Sequence, residues 1–243
     1  MSQIDIPTKF VDKAKFVLGV FTDVEREYDF LLHLMTLTFD GVWRRRMLSK
    51  MVFSGEVVLL DLACGTGLVT FELAKRLDPR GMVVGLDLSR AMLRIARRNK
   101  LRSANGCNVE LVRAVGEFLP FRENFLKCIT VGLALRNFAD KIAVFKESLR
   151  VLSVSGWFFS LDFVKPENSA VWSTYRLHIF FVLPALARLV SRHWKWTMVY
   201  LANSIRIATP PEILCKFLLE VGFRRALLER VSLGIVALVQ AQK

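Results

Sequence analysis

Acid is scarce in this sequence. Twenty-two Asp and Glu stand against 35 Lys and Arg, a formal net charge of +13 over 243 residues. That balance suits an anionic partner, whether nucleic acid, an anionic membrane face or an anionic ligand, and does not choose among them. Histidine and cysteine are scarcer still. His33, His178 and His193 are the only histidines, and Cys64, Cys107, Cys128 and Cys215 form no CxxC pair. A structural zinc site is therefore not expected, and no metal is called for. Isolated cysteines with apolar neighbours predict buried free thiols in a reducing compartment. No stretch reaches about 18 uninterrupted apolar residues; the longest, 177–190, contains His178, Pro184 and Arg188. The first ten residues lack the basic start and apolar run of a signal peptide. The expected location is cytoplasmic, with room for peripheral attachment to the inner face of the cell membrane. What is abundant is apolar: 53% hydrophobic residues support a full core and exclude wholesale disorder.

The chain reads as one large domain with helical additions. Residues 9–53 carry apolar side chains three and four apart (Phe10, Ala14, Val17, Phe21, Val24, Tyr28, Leu31), a helical period. From residue 54 onward strands alternate with helices, through Val57–Leu60, Met82–Leu86, Val109–Val112, Cys128–Leu133 and Gly156–Phe163. The helices between are predicted to reach Leu77, to run from Ser89 as N-cap through Lys100, and to span Asp140–Leu152. Such alternation implies a parallel sheet covered on both faces. Residues 166–209 interrupt the rhythm as a helical insertion. Pro210-Pro211 starts a further helix, which Gly222 stops. Two last strands, near 223–230 and 233–240, form an antiparallel hairpin. The expected fold is α/β, Rossmann-like, with seven strands and an antiparallel last one.

The first strand runs into Leu60-Asp-Leu-Ala-Cys-Gly-Thr-Gly67, and Asp87 closes the second strand 20 residues after Gly67. Glycines in this turn let the backbone approach a ligand, and a carboxylate at Asp87 accepts both hydroxyls of a ribose. The dinucleotide fingerprint would need a third glycine where Thr70 stands. Asp61 would repel a pyrophosphate but suits a cationic ligand with an amino group, such as S-adenosylmethionine (SAM). A dinucleotide and a purely structural turn remain the alternatives. Expected cofactor contacts are Asp61, Ala63, Gly65, Thr66, Gly67, Asp87, Leu88, Val115, Gly116 and Gly132. Methyltransferases of this type place Asp or Asn near the end of the third strand for the adenine amino group. Here Val115 and Gly116 stand there, leaving backbone groups or Glu117 for that task.

These residues resemble the UbiE/MenG family of ubiquinone and menaquinone biosynthesis C-methyltransferases. The resemblance covers nearly the whole chain: Phe21-Thr-Asp-Val-Glu-Arg-Glu-Tyr28-Asp29 with Trp43 fifteen residues after Tyr28, the Asp61–Gly67 turn, Leu119-Pro-Phe121, Leu135-Arg136-Asn137, Arg150-Val-Leu152, Tyr200–Arg206, Gly222-Phe223 and Gly234–Leu238. It departs at Leu32, at Thr38 and Asp40, at Val154-Ser-Gly156 and at Val239, mostly on the acceptor side. The resemblance implies a SAM-dependent methyltransferase acting on a polyprenylated quinol, with the Arg136–Asn137 pair at the ring.

A ring carbon of a quinol becomes nucleophilic when its hydroxyl loses a proton, and a phenol has a pKa of about 10. A nearby cation lowers that by roughly 1–3 units. Arg136, beyond the end of the fourth strand, is expected to do so, with Asn137 orienting the hydroxyl and Tyr28 closing over SAM or donating to the acceptor. The alternatives are an Arg136 paired with a structural carboxylate and an ordinary core Tyr28. Residues 163–211 hold six basic residues and one acid, Glu167. That pattern suits an anionic lipid surface, a lid over a greasy substrate, or a cap packed on its own domain. A second basic run, Arg90 to Arg102, reads first as a solvated helix face. Three other functions compete: methylation of another lipid or small molecule, methylation of RNA, and a non-catalytic, membrane-associated role. The Asn/Asp-Pro-Pro-aromatic motif and a Pro-Cys nucleophile are both absent after the fourth strand, which speaks against nucleic acid.

Overall fold

The structure, a computed structural model, describes residues 6–7, 9–22, 27–103, 106–190 and 192–243. Val24 of the helical period and residues 23–26 of the family motif lie outside them, as does the Cys107 side chain. The amino-terminal segment is not one helix but three: α1 (Phe10–Thr22), α2 (Tyr28–Thr36) and α3 (Asp40–Leu48). The break before α3 falls at Leu37 and Thr38, both in the left-handed region with φ of 50° and 66°. Neither is a residue type that announces such a turn.

The α/β part follows as β1 (Val58–Leu62), α4 (Leu68–Ala74), β2 (Met82–Asp87), α5 (Arg90–Arg102), β3 (Val109–Arg113), β4 (Leu126–Gly132), α6 (Lys141–Val151) and β5 (Leu152–Phe163). Then come α7 (Ser169–Leu177), a π-turn at His178–Val182, α8 (Leu183–Val190), α9 (Arg192–Arg206), α10 (Pro211–Val221), β6 (Arg225–Val231) and β7 (Val236–Gln242). The seven strands lie in the order β3-β2-β1-β4-β5-β7-β6. β7 pairs antiparallel with both β5 and β6; the other pairs are parallel. Caps fix the helix starts. Ser89 accepts from the Met92 N–H at 3.3 Å, Asp140 from Ala143 at 2.9 Å and Asn168 from Ala170 at 2.9 Å.

Two apolar layers sandwich the sheet, and strand alternation sorts side chains between them. Leu59, Phe159 and Leu161 face one layer; Leu60, Leu62 and Phe158 face the other. The first layer also takes Leu31, Leu32, Trp43 and Met47 from α2 and α3, and Ile179, Leu183, Trp194 and Met198 from the helical insertion. The amino-terminal helices and the insertion therefore share one core above the sheet. Ser169–Arg188 is the one described helical run long and apolar enough to cross a membrane by length and composition, and only 22% of its most apolar window is buried. Pro184 lies within it, and Ile179, Leu183 and Ala187 are buried in the core. Cys64 and Cys128 are buried free thiols as expected, while Cys215 is only half-buried.

Candidate active site

In a parallel sheet the ligand crevice lies beyond the carboxyl ends of the strands, where the order reverses between β1 and β4. That edge opens into a front chamber of about 1240 Å³, counted out to its open mouth. Of the expected site residues, Asp61, Ala63, Gly65, Thr66, Asp87, Leu88, Val115, Gly116, Gly132, Asn137 and Tyr28 line it. Gly67 and Arg136 are not among its lining residues. The two glycines of the turn thus do different work. Gly65 (φ +57°) has open space where a Cβ would stand. Gly67 (φ +92°) would put a Cβ 2.3 Å from the Phe71 ring, so helix packing demands it. A Cβ on Gly116 would meet Phe138 at 2.6 Å. The non-glycine Ala63 and Leu133, after β1 and β4, adopt φ of 56° and 58°. Left-handed residues of this kind gather at ligand sites.

The chamber is acidic although the chain is strongly basic. Asp61 is buried, and its two oxygens accept the Thr70 hydroxyl at 2.6 Å and the Thr130 hydroxyl at 3.0 Å. Burial outweighs these bonds and pushes its carboxyl up to about 6. Asp87 accepts the N–H of Gly65 at 2.8 Å and of Ser89 at 2.7 Å. Burial also raises Asp87 and Glu117 above the usual carboxylate range. The Leu88 N–H also bonds the Asp87 carboxylate, and the three donors leave Asp87 a lone pair for a ligand hydroxyl. Three buried carboxylates whose charge burial disfavours are stabilised by a cationic occupant. An open-faced glycine turn and a ribose-ready carboxylate complete a donor set that fits SAM. Val115 and Gly116 line the wall where adenine would lie, with Glu117 beside them.

Helix α1 covers this chamber with Ala14, Val17, Leu18 and Phe21. Lys13 fastens the helix by donating to the carbonyls of Phe138 (2.9 Å) and Arg136 (3.3 Å). Burial lowers its pKa to about 8. Thr66 does not simply await a ligand: its hydroxyl donates to Asp29 of α2 at 2.6 Å. Arg44 also reaches the chamber wall. It pairs at 2.5 Å with Asp40, a fully buried carboxylate that also binds His33 (2.9 Å) and Thr36 (2.8 Å). Burial pushes Asp40 up, but these bonds outweigh it and hold it below its usual range.

A much smaller cleft, the rear chamber, lies behind a shared wall of Phe21, Tyr28, Leu32 and Leu133. Leu31 and Met35 of α2, Met198 and Leu201 of α9, and Phe163 of β5 make it apolar. Its single charge is Arg136. The guanidinium is 6% exposed and forms a salt bridge with Asp162, also donating to Ser204 at 3.2 Å and to the Leu133 carbonyl at 2.6 Å. Burial pulls its pKa down, but the Asp162 charge outweighs burial and holds it above the usual value. Asn137 accepts the Tyr200 hydroxyl at 2.8 Å. Part of Tyr28 meets solvent while its phenol is enclosed, and burial raises that phenol to about 12. His178 bonds to the Met35 backbone. No group of three metal-ligating side chains occurs among the described residues.

Sequence reasoning missed Asp29, Arg44, Asp162 and Tyr200. Asp162 had a usable signal, standing at the carboxyl end of the strand next to β4. Asp29 and Tyr200 lay inside quoted family segments without an assigned task. Nothing local marks Arg44.

A family model described as the ubiE/COQ5 methyltransferase family matches residues 9–243. The ubiquinone/menaquinone biosynthesis C-methyltransferase UbiE of Hahella chejuensis is 33% identical over 227 residues, covering 93% of this chain and 91% of that protein. The protein of the same name from Pseudomonas paraeruginosa is 36% identical, covering 93% and 88%. Among solved structures, a SAM-dependent methyltransferase of Thermotoga maritima superposes with a TM-score of 0.64 at 15% identity, covering 93% of this chain and 99% of that one. Another, from Aquifex aeolicus, gives 0.56 at 17%, covering 82% and 88%. The chain belongs to the ubiE/COQ5 methyltransferase family and is an S-adenosylmethionine-dependent methyltransferase.

Proposed function

We propose that the chain methylates a ring carbon of a polyprenylated quinol of the demethylmenaquinol or ubiquinol-precursor type. The observation that carries this reading is the pair of chambers sharing the Tyr28–Leu133 wall, one acidic and one apolar with a single enclosed guanidinium. The names of the curated relatives support the same acceptor.

SAM, when bound, supplies an electrophilic methyl group on a sulfonium. Asp61 holds its ammonium end, and Asp87 accepts a ribose hydroxyl. Ala63, Gly65, Thr66, Leu88, Val115, Gly116 and Gly132 shape the cradle, while Gly67 keeps the turn closed. In the rear chamber Nε and Nη1 of Arg136 are engaged by protein partners, and Nη2 carries two further N–H groups toward an acceptor oxygen. There the guanidinium stabilises the phenolate once the hydroxyl proton has left to water. Because Asp162 balances much of its charge, the pull on the phenol falls at the low end of about 1–3 pKa units. Tyr200 fixes the Asn137 amide with its oxygen inward, so the NH₂ group is free to donate to the acceptor. Tyr28 keeps its proton at any working pH and acts as a neutral donor or wall. Holding the ring and methyl in line is worth effective molarities of order 10⁵–10⁸ M.

The test uses methyl-labelled SAM with reduced prenylated quinone precursors and, in parallel, total RNA. Label in the organic phase, lost in Asn137→Ala, is the expected result. Label in RNA, or SAM binding without transfer to any quinol, would replace the acceptor.

A further inference from the structure

The helical cover has two sides, and only one is accounted for by the chamber beneath. α2 lines the rear chamber with Leu31, Leu32 and Met35, yet leaves Phe30 60% exposed. α9 lines it with Thr197, Met198 and Leu201, yet leaves Trp196 54% exposed. The run from α7 to α8 buries Ile179, Leu183 and Ala187 and turns Leu177, Phe181, Val182 and Leu186 outward. These residues recur at helical spacing, so they share a stripe. The three parts form one body: Phe30 packs on Trp194 with centroids 5.7 Å apart, and His178 bonds to the Met35 backbone. An apolar surface on this scale marks an interaction site.

The charge around the stripe says what covers it. Arg176 and Arg188 lie exposed at its two ends, and Lys195 lies exposed beside Trp196. The single acid between 163 and 211, Glu167, is paired with Arg230 at 2.8 Å. Along α7–α9 the described rim of this greasy stripe is basic, which fits the headgroup boundary of an anionic bilayer. Crossing the bilayer would require pulling Ile179, Leu183 and Ala187 out of the core, so the run lies in the interface plane.

We propose that the outer face of α2 and the α7–α9 cover docks on an anionic lipid bilayer and draws the lipophilic acceptor from it into the rear chamber. The second half of this statement rests on the quinol reading above; the docking itself does not.

The experiment is flotation of the full chain with vesicles of phosphatidylglycerol and phosphatidylcholine, and with phosphatidylcholine alone. Binding is expected to the anionic vesicles and to weaken with salt, since each basic residue near such a surface contributes about fivefold. Phe181→Asp with Leu186→Asp should reduce partitioning at least tenfold. Arg176→Glu with Arg188→Glu, which leaves the apolar stripe intact, should do the same. Arg97→Glu with Arg98→Glu, on the exposed basic helix α5, should bind like the parent chain. Transfer to a short-tailed, water-soluble quinol should be unchanged in the stripe variants, while transfer to a long-tailed quinol in vesicles should fall. Vesicle binding lost in the stripe variants without methylation of either quinol upholds the docking face and sinks only the acceptor. Equal vesicle binding by stripe variants and parent, or loss only in the α5 variant, would overturn the proposal. So would a parent dimer, seen by sedimentation, that Phe181→Asp dissociates while vesicle binding persists.

Discussion

The two chambers on either side of Tyr28 are built by different means. The front one is assembled from strand ends, and its carboxylates are held by partners close in the fold: Asp87 by Gly65 and Ser89, Asp61 by Thr70 and Thr130. Its charge is mostly of one sign and stays available to a cation. The rear one is assembled from the faces of α2 and α9 over the end of β5. Its one charge is paired, Arg136 with Asp162, and its Tyr200 donates across to Asn137, which lines the front chamber. The difference teaches where function and stability coincide. Removing a front carboxylate should cost binding and little stability; removing a rear charge should cost both.

The largest effect tests the rear side. Arg136→Ala strands the Asp162 carboxylate in a dry site, and breaking a buried pair in this way costs about 3–5 kcal/mol. Urea unfolding should show that loss, with turnover abolished and SAM affinity in calorimetry within about twofold of the parent, the scale of a few tenths of a kcal/mol. Arg136→Met with Asp162→Asn, which removes both charges and keeps an acceptor for the Arg136 and Phe163 backbone N–H groups, should regain most of the stability and none of the turnover. If the double variant methylates, Arg136 is structural and its assignment to the acceptor falls.

Next comes the front side. Asp61→Asn removes a charged partner for the ligand ammonium, worth about 1.5–3 kcal/mol, or roughly 10–150-fold in SAM affinity. The sign with pH follows from the raised carboxyl. Below about pH 6 the folded protein holds Asp61 protonated and neutral, so parent affinity should fall as pH drops through 6 while the Asn variant stays flat. The same raised pKa means the folded state binds this proton more tightly than the unfolded chain. Asp61 therefore adds stability as pH falls from about 6 toward 4, and its charge costs stability at pH 7. Unfolding at pH 7 should find Asp61→Asn no less stable than the parent. A large loss there would erase the contrast between the chambers.

A smaller effect separates positioning from packing. Tyr200→Phe keeps the ring but frees the Asn137 amide, which should lower kcat about fivefold at unchanged SAM affinity, the worth of about 1 kcal/mol for one hydrogen bond. The pH profile should keep its shape, since burial holds the Tyr200 phenol up at about 12. A change in KM for SAM alone would place Asn137 with the cofactor instead.

The contrast also explains what was legible beforehand. Asp61, Gly65 and Asp87 are bound to a strand–turn–helix pattern, so residue types and spacing announced them. The rear chamber converges from residues 28–35, 133–136, 163 and 197–201, and no local pattern says that these meet. Among elements, the misjudged ones lie where backbone conformation defied residue type. The break at Leu37-Thr38 has left-handed φ without glycine, and Ser155 (φ 63°) lies inside β5, which begins at Leu152 directly after α6 rather than at Gly156. α4 ends at Ala74, short of the expected Leu77. Gly67 and Thr66 belong to the same legible turn, while the Phe71 ring against Gly67 and the Asp29 carboxylate on the Thr66 hydroxyl depend on packing that the motif does not display.

An effect as small as that of Tyr200→Phe bears on whether the chambers are independent at all. α2 contributes Tyr28 and Leu32 to both, and the Thr66–Asp29 bond ties its first turn to the cofactor loop. Thr66→Val removes the donor without changing side-chain shape, and Asp29→Asn keeps an acceptor while removing the charge. Loss of a hydrogen bond to a charged group costs about 1.5–3 kcal/mol when the partner is left dry. Asp29 is half-buried, so water replaces much of the bond and the expected cost falls to about 1 kcal/mol. If the bond couples the chambers, Thr66→Val should weaken SAM about fivefold and also raise the KM for the acceptor, although Thr66 touches only the front. Asp29→Asn should retain most of both. An effect on SAM alone would leave the two chambers as neighbours that share a wall and nothing more. A matched effect on both ligands would make α2 the element through which a filled front chamber orders the rear one.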